Sequence, residues 1–199
     1  MIWISILIIL VVVLVYIQSN IVETFSSKNI ILLGDSILNN DKYVGKNHNM
    51  TYLLQKQGFH VNCLAKDNAL VDNLSTQISN FKNINTNAYY VISAGGNNIL
   101  QHRDMNIAFQ QYKNFITKLE NHVSKDKIIL CTIYYPPTHK HYFSKIKEWN
   151  NSLINFAKGK YKLLRIDIFM NNVIDFTNQI APSYLGSKKL VKHLNNIII

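Results

Sequence analysis

The chain begins with one long apolar run and then alternates between short apolar runs and amphipathic stretches. Residues 2–17 contain no charged side chain, and a helix of this length spans about 24 Å. A bilayer core is about 30 Å thick, and residues 18–22 would extend the helix by about one turn. Because the run is apolar on every face, it favours a membrane helix over a buried core helix.

A cleaved signal peptide is the competing interpretation of this segment. Such a peptide carries basic residues before its apolar stretch and a small-residue cleavage site after it. Neither feature is present here. We therefore predict a single-pass anchor over residues 1–20, a linker over 21–27 and one domain over 28–199. The flanking charges leave the orientation open, and the membrane itself is cellular or viral.

Beyond the linker, apolar runs of strand length alternate with helical patterns. The predicted strands are 29–33, 60–64, 89–93, 127–133 and 162–166, and the predicted helices are 47–57, 71–81, 104–122, 142–157 and 183–196. In the longest helix, Asp104 is a plausible N-cap, and an apolar face is predicted to contain Ile107, Phe115, Ile116 and Leu119. Strands that alternate with helices indicate βαβ units and a parallel sheet.

We predict an α/β fold of the flavodoxin-like type, with three αβα layers and a five-stranded parallel sheet in the order 2-1-3-4-5. An open parallel sheet binds ligands beyond the carboxyl ends of its strands, at the point where the strand order reverses. In this order that point lies between the first and third strands. Candidate chemistry is therefore expected directly after those two strands.

Composition narrows the class of protein without identifying a ligand. With 48% hydrophobic and 16% charged residues among 199, the chain is typical of one globular or membrane-associated domain. The net charge of +10 comes from scattered lysines, which favours solvated faces over a nucleic-acid surface. Cys63 and Cys131 lie in predicted buried strands and are interpreted as inert thiols. No residues have zinc-site spacing, so we predict no metal and no cofactor.

Two short motifs follow the first and third predicted strands. Gly34-Asp35-Ser36 places a serine on a tight turn that glycine permits, and Gly95-Gly96-Asn97-Asn98 places two glycines and an amide beside it. A serine, a glycine N–H and an asparagine amide together can form a nucleophile with an oxyanion hole. Each motif alone is an ordinary turn, but both fall at the predicted switch point.

With these motifs, residues 28–199 resemble the SGNH/GDSL hydrolases, serine esterases and lipases with a flavodoxin-like sheet. The resemblance implies that Ser36 is the nucleophile and that the Asn97 side chain donates to the oxyanion. Backbone N–H groups of Ser36 and of Gly96 or Asn68 would complete the oxyanion hole. Asn68 stands where the family has a glycine, and Asn98 stands where it has an aspartate.

The last family motif is incomplete in this chain. The family has Asp-x-x-His followed by Pro-Ser and a helix containing glycine. Here Pro182-Ser183 and Gly186 match, but Asn178 and Ala181 occupy the acid and base positions. A serine hydroxyl needs a base to attack an ester. Candidates for a relocated base are His102, His139, His141 and Asp175.

Two functions of different classes follow from these residues. The first is a membrane-anchored serine hydrolase that acts on an acyl or acetyl ester of a small molecule, lipid or glycan. The alternative is a catalytically degenerate SGNH fold that serves as a membrane-tethered binding or structural module. The loss of the base at Ala181 separates the two. In either case no nucleic-acid partner is expected.

Overall fold

The computed structural model describes residues 28–79 and 84–198, so the predicted anchor and linker lie outside the described residues. One parallel sheet has the order β2-β1-β3-β4-β5, which confirms the predicted order. Its strands are β1 Asn29–Gly34, β2 His60–Cys63, β3 Tyr89–Ser93, β4 Ile128–Cys131 and β5 Lys162–Leu164. The helices are α1 Asp41–Val44, α2 Met50–Lys56, α3 Asn73–Ser79, α4 Gly96–Leu100, α5 Met105–Glu120, α6 Phe143–Ala157, α7 Ile166–Phe169 and α8 Tyr184–Ile198.

The two faces of the sheet carry separate apolar clusters, because side chains alternate along each strand. On one face, Ile31 and Leu33 of β1 pack in a cluster with the apolar sides of α3, α5 and α6. On the other face, Ile30 and Leu32 pack in a cluster with residues of α2 and α8. Helices therefore cover the sheet on both sides, as the three-layer prediction requires. No helix in the two described ranges combines the length and apolarity needed to cross a bilayer.

The edge strand β2 differs from the fully buried strand that the sequence pattern suggested. His60 and Asn62 are exposed, and Cys63 is only partly buried, whereas Cys131 in the interior strand β4 is buried. An edge strand has one neighbour and less helix cover, so alternate positions reach solvent. Both thiols are free. Burial raises the pKa of each thiol, which suits the prediction that they are inert.

Helix α5 begins where its cap was predicted, but one residue of its apolar face was assigned wrongly. The Asp104 carboxylate accepts hydrogen bonds from the N–H groups of Asn106 and Ile107 at 2.8 and 3.0 Å. Ile107 itself is 60% exposed. The buried stripe runs through Ala108 and Tyr112 to Leu119. Ile107 precedes that stripe by one residue, which turns its side chain about 100° away from the core.

A small ribbon near the carboxyl terminus was not predicted. Strand β6 Phe176–Thr177 pairs antiparallel with β7 Ala181–Pro182, and the turn between them has positive φ at Asn178 and Gln179. Two-residue strands are too short to produce a visible alternation. The ribbon places the last motif beside the main sheet.

At the end of β1, Gly34 lies directly against the backbone of Ser93 in β3. Its φ is +124°, and a Cβ atom built on it would lie 1.6 Å from the carbonyl oxygen of Ser93. The buried Gln77 side chain holds the same residue, accepting from the Gly34 N–H at 2.7 Å and donating to its carbonyl at 2.8 Å. A side chain at position 34 would force the two strands apart.

We expect Gly34→Ala to lower the free energy of unfolding by more than about 4 kcal/mol or to prevent folding, because the methyl group has no space. Gly159→Ala is the control, since Gly159 also has positive φ (+69°) but nothing lies within 4 Å of its built Cβ. That variant should lose only about 1–2 kcal/mol. Urea unfolding of the 199-residue chain measures both. Equal losses would contradict the steric argument.

Candidate active site

Ser36 lies on a tight turn that continues the β1–β3 ladder. The Asp35 N–H donates to the Ser93 carbonyl at 3.1 Å, and the Asp35 carbonyl accepts from Leu38 N–H at 3.1 Å. The Asp35 carboxylate also accepts from Ile37 N–H at 3.0 Å. These bonds reverse the chain within one turn and leave Ser36 partly exposed at the carboxyl end of β1.

The second predicted motif reaches the same place from β3. Gly95 has φ of +109°, and a Cβ atom there would lie 2.4 Å from the Trp149 ring, so only glycine fits. Helix α4 then begins at Gly96, and the Asn97 amide donates to the Ala69 carbonyl at 3.0 Å. The structure thus brings Ser36, Gly96 and Asn97 together on the wall of one pocket.

Two departures from the family pattern have a structural explanation. Asn98 is buried, and its side-chain oxygen accepts from Val71 N–H at 3.1 Å. An aspartate could accept the same bond, so the amide keeps the connection between α4 and the loop after β2. Asn68 has φ of +59°, the left-handed conformation that glycine favours and asparagine tolerates.

Asn68 is nevertheless not one of the residues that line the pocket. The neighbouring residue, Ala69, is connected to the site through its carbonyl, which accepts a hydrogen bond from the Asn97 amide. An N–H at position 68 therefore remains a predicted oxyanion donor, whereas Ser36 and Gly96 lie on the pocket wall itself.

The pocket has a polar end and an apolar remainder. Asp35, Ser36, Ser93 and Asn97 form the polar end. Most of the remaining wall is aliphatic or aromatic, and it includes Ile37, Ile99, Leu100, Ile133, Tyr134, Ile146 and Ile180. A pocket lined by a serine hydroxyl and by apolar side chains can take a carbonyl group and the carbon atoms attached to it.

The Asp35 carboxyl is the most perturbed acidic group of the pocket. Its residue is 4% exposed, and burial raises its pKa from 3.8 to about 7, against hydrogen bonds from Ile37 N–H and the Ser93 side chain. One carboxyl oxygen faces Gly96, 3.8 Å from where a Cβ would stand. With this pKa the carboxyl is about half protonated at pH 7, and the neutral form repels a developing oxyanion less than a carboxylate does.

The last motif presents a methyl group where the family has its base. Ala181 lies in β7 and is 2% exposed, and its N–H donates to the Asn178 side chain at 3.2 Å. The preceding residue, Ile180, lines the pocket, and its carbonyl accepts a hydrogen bond from the Tyr134 hydroxyl. The motif therefore keeps its place beside the pocket while offering no titratable side chain there.

Asn40 connects the nucleophile turn to this last motif. It is fully buried, and its amide donates to the Pro182 carbonyl at 2.9 Å and to the Ser187 hydroxyl at 2.7 Å. Its side-chain oxygen accepts from Met50 N–H at 3.1 Å. One side chain thereby fixes the position of β7 and α8 relative to the segment that follows Ser36.

Asp175, one of the four candidate bases, has a different position. It is fully buried and outside the set of pocket-lining residues. Lys189 lies 2.8 Å from its carboxylate, which also accepts from Asn172 N–H at 3.2 Å. Its carbonyl accepts from Ser183 N–H at 2.8 Å. These contacts hold the start of α8, so the carboxylate is occupied in packing that helix.

The three candidate histidines instead gather around a single aromatic ring. The centroids of His102, His139 and His141 lie 5.9, 6.3 and 4.0 Å from that of Tyr142. Tyr142 lines the pocket, and its hydroxyl donates to the Leu100 carbonyl at 3.4 Å. Three of the four candidate bases therefore contact a residue that lines the pocket, but none of the three lines the pocket itself. Within the described ranges, no three His, Cys, Asp or Glu side chains are placed to hold a metal ion.

Several residues that shape the site were missed by the sequence reasoning. Two buried amides each pair with both backbone groups of one residue: Gln77 with Gly34 at the end of β1, and Asn150 with Ile133 in the loop after β4. The sequence did contain an indication for Asn150, because this polar residue stands among the apolar residues on the buried side of its helix. Tyr142 gave no comparable signal, since its importance comes from residues distant in sequence.

Comparisons with known proteins identify solved structures that share this fold. No protein-family model matches the chain, and no curated protein sequence matches it either. Solved structures do match. A lipolytic G-D-S-L family protein from Veillonella parvula superposes with a TM-score of 0.74 at 16% identity, covering 85% of this chain and 97% of that one.

Two further solved structures are similar to this chain over most of their length. The psychrotrophic esterase EstA from Pseudoalteromonas has a TM-score of 0.65 at 15% identity over 86% of this chain and 97% of its own. TesA has a TM-score of 0.67 at 16% identity over 86% of this chain and 98% of its own. The described domain therefore shares the fold of these solved structures, which include a lipolytic G-D-S-L family protein and an esterase, as the resemblance of its first motifs predicted.

The raised pKa of Asp35 predicts a pH-dependent stability. Between about pH 4 and about pH 7, the Asp35 carboxyl is protonated in the folded state but ionised in the unfolded chain. The free energy of unfolding therefore falls as the pH rises through this range. A pKa difference of about 3 corresponds to about 4 kcal/mol. We compare the free energy of unfolding of Asp35→Asn with that of the wild type. The difference in favour of the variant should be about 4 kcal/mol larger at pH 8 than at pH 4.

Urea unfolding at the two pH values measures this difference. Asp72→Asn is the control, because Asp72 is exposed and its replacement should leave the pH dependence of the wild type unchanged. An Asp35→Asn variant whose stability follows the wild-type pH profile would contradict the assigned burial effect.

Proposed function

We propose that this protein is a serine hydrolase that cleaves acyl esters through Ser36. The observation that carries the proposal is the convergence of Ser36, Gly96 and Asn97 on one pocket at the carboxyl ends of β1 and β3. The fold shared with the esterase EstA supports it. A hydroxyl, a backbone donor and a side-chain amide beside an apolar pocket are the groups that acyl transfer requires.

In the proposed reaction, the Ser36 oxygen attacks the ester carbonyl carbon while a base accepts the hydroxyl proton. The oxyanion accepts hydrogen bonds from N–H groups of Ser36 and of Gly96 or Asn68, and from the Asn97 amide. Collapse breaks the carbon–oxygen bond, and the alcohol leaves with the proton held by the base. Water then attacks the acyl-serine, releasing the acid and restoring Ser36.

Asn97 can serve this reaction without giving up its structural bond. A side-chain amide carries two N–H groups, and one of them donates to the Ala69 carbonyl at 3.0 Å. The second is the donor that we assign to the oxyanion. The bond to Ala69 fixes the rotamer of the amide, so the second donor is oriented before substrate arrives.

We assign the base to the cluster of histidines around Tyr142, which consists of His102, His139 and His141. All three rings surround Tyr142, which lines the same pocket as Ser36. Imidazole is the commonest general base in enzymes. Asp175 is the weaker candidate, because it is fully buried away from the pocket lining and forms an ion pair with Lys189.

The test is Ser36-dependent labelling and turnover in the 199-residue chain. We expect a fluorophosphonate probe to label the protein and p-nitrophenyl acetate to be hydrolysed, and Ser36→Ala to lose labelling and about 10³-fold or more of the turnover. Ser144→Ala, at an exposed helix position, should retain both. Turnover that survives Ser36→Ala would exclude Ser36 as the nucleophile.

The same assay identifies the base. Single His→Gln variants at positions 102, 139 and 141 test the three imidazoles one at a time. The variant that lacks the catalytic base should lose about 10²-fold or more in kcat/KM. The triple variant reports on the whole cluster. If the triple variant keeps wild-type activity, the base lies elsewhere.

A second candidate function is favoured by one observation, the buried Ala181 at the base position. A fold that keeps the pocket but lacks a base could act as a binding or structural module. In that case the native chain gives neither labelling nor turnover, and Ala181→His restores both in the unchanged pocket. Activity in the native chain that requires Ser36 would exclude this alternative.

We further propose that residues 1–20 anchor the protein in a membrane. The support is the uncharged run 2–17 and the short linker that precedes the described domain. We expect the full chain to remain with membranes after carbonate extraction and a variant lacking residues 1–27 to be released. An extractable full chain would contradict the anchor.

A further inference from the structure

The pocket beside Ser36 is small. The whole depression, including its open mouth, has a volume of about 530 Å³. The cavity within it has a volume of only about 40 Å³. For comparison, a cavity of about 150 Å³ binds one benzene molecule, so a cavity of about 40 Å³ has room for only a few carbon atoms. A long hydrocarbon chain does not fit in such a space.

The walls of this pocket belong to the core of the domain. Ile99 and Ile146 are 1% and 3% exposed and pack in the same apolar cluster. Close-packed interiors resist the shifts that a longer chain would require. The inner part of the pocket is therefore held by the packing of α4 and α6, and it is not formed by loops alone.

Hydrogen bonds hold two further parts of the wall. The buried Asn150 amide accepts from Ile133 N–H at 2.8 Å and donates to the Ile133 carbonyl at 2.6 Å. Across the rim, the Tyr142 hydroxyl donates to the Leu100 carbonyl at 3.4 Å. The wall at Ile133 and the rim at Leu100 are thus both tied to other elements.

We propose that this pocket selects esters of short acyl groups, of about two to four carbons, and excludes longer chains. The proposal rests on the proposed function, in which the ester carbonyl sits at Ser36. The acyl group then occupies the inner apolar part of the pocket, and the alcohol part extends past Tyr142 through the open mouth. The substrate is therefore a short-chain acyl ester, and the pocket sets no limit on the size of the alcohol part.

Turnover tests the proposal directly. We expect kcat/KM of the 199-residue chain to be at least tenfold higher for p-nitrophenyl acetate or butyrate than for the octanoate, because the longer chain cannot enter. Equal or faster hydrolysis of the octanoate would overturn the proposal.

A binding experiment on Ser36→Ala separates this proposal from the hydrolase function, since it needs no turnover. Trifluoromethyl ketones with alkyl chains from methyl to octyl are titrated and followed by ¹⁹F NMR. We expect affinity to stop rising beyond about four carbons. Affinity that keeps rising about fourfold per methylene, as for a chain that is buried throughout, would overturn the proposal. So would the absence of binding by every ketone.

Enlarging the pocket should move the chain-length limit. Leu100→Ala removes a partly exposed wall residue and Ile146→Ala a buried one. In each variant that folds, we expect affinity for the octyl ketone to rise at least fivefold relative to the methyl ketone. Ile116→Ala is the control, because Ile116 is buried in the same cluster but does not line the pocket. An unchanged profile in Leu100→Ala would overturn the assignment of the wall.

Discussion

The close approach of β1 and β3 at Gly34 is the constraint on which the site depends. The missing side chain lets the Ser93 carbonyl lie where a Cβ would otherwise stand, and the Asp35 N–H then donates to that same carbonyl. Gln77 holds both backbone groups of Gly34 from the neighbouring helix. The ladder therefore continues one residue beyond the strand, and the turn that follows presents Ser36 at a defined point.

Buried amides carry much of the architecture around the pocket. Gln77, Asn150 and Asn40 are each at most 2% exposed, and each forms two or more hydrogen bonds with strand ends or turns. A buried amide is costly unless its donors and acceptor are paired, and these are paired. Such groups specify one arrangement of strands and helices, because any shift would leave them unpaired.

The last motif shows that a family-like segment can be kept for packing alone. A Cβ at Gly186 would lie 2.1 Å from the Asp175 carbonyl, and the Ser183 hydroxyl accepts from Gly186 N–H at 3.1 Å. Asn40 donates to the Pro182 carbonyl. The serine and the glycine thus have structural reasons to remain, whatever stands at Ala181. Their presence does not by itself argue for a functioning base.

Local patterns in the sequence were enough to predict the alternation of strands and helices, because apolar runs and periodicity reflect burial of whole elements. The strand order, which the structure confirms, came from the flavodoxin-like fold type that this alternation suggested. They also placed Ser36 and Asn97 at the same edge, since parallel strands bring their carboxyl ends together. The exposure of Ile107 was predicted wrongly, because the neighbour that covers a helix face sets the exact limits of its buried stripe.

Other properties depended on contacts that no local pattern records. Asn40 bonds to residues 142 and 147 positions away. The gathering of three histidines around Tyr142 and the small pocket volume arise only when distant loops pack together. The raised pKa of Asp35 likewise follows from burial on all sides. Periodicity along the chain therefore determined the elements, whereas packing between distant segments decided the chemistry of the pocket.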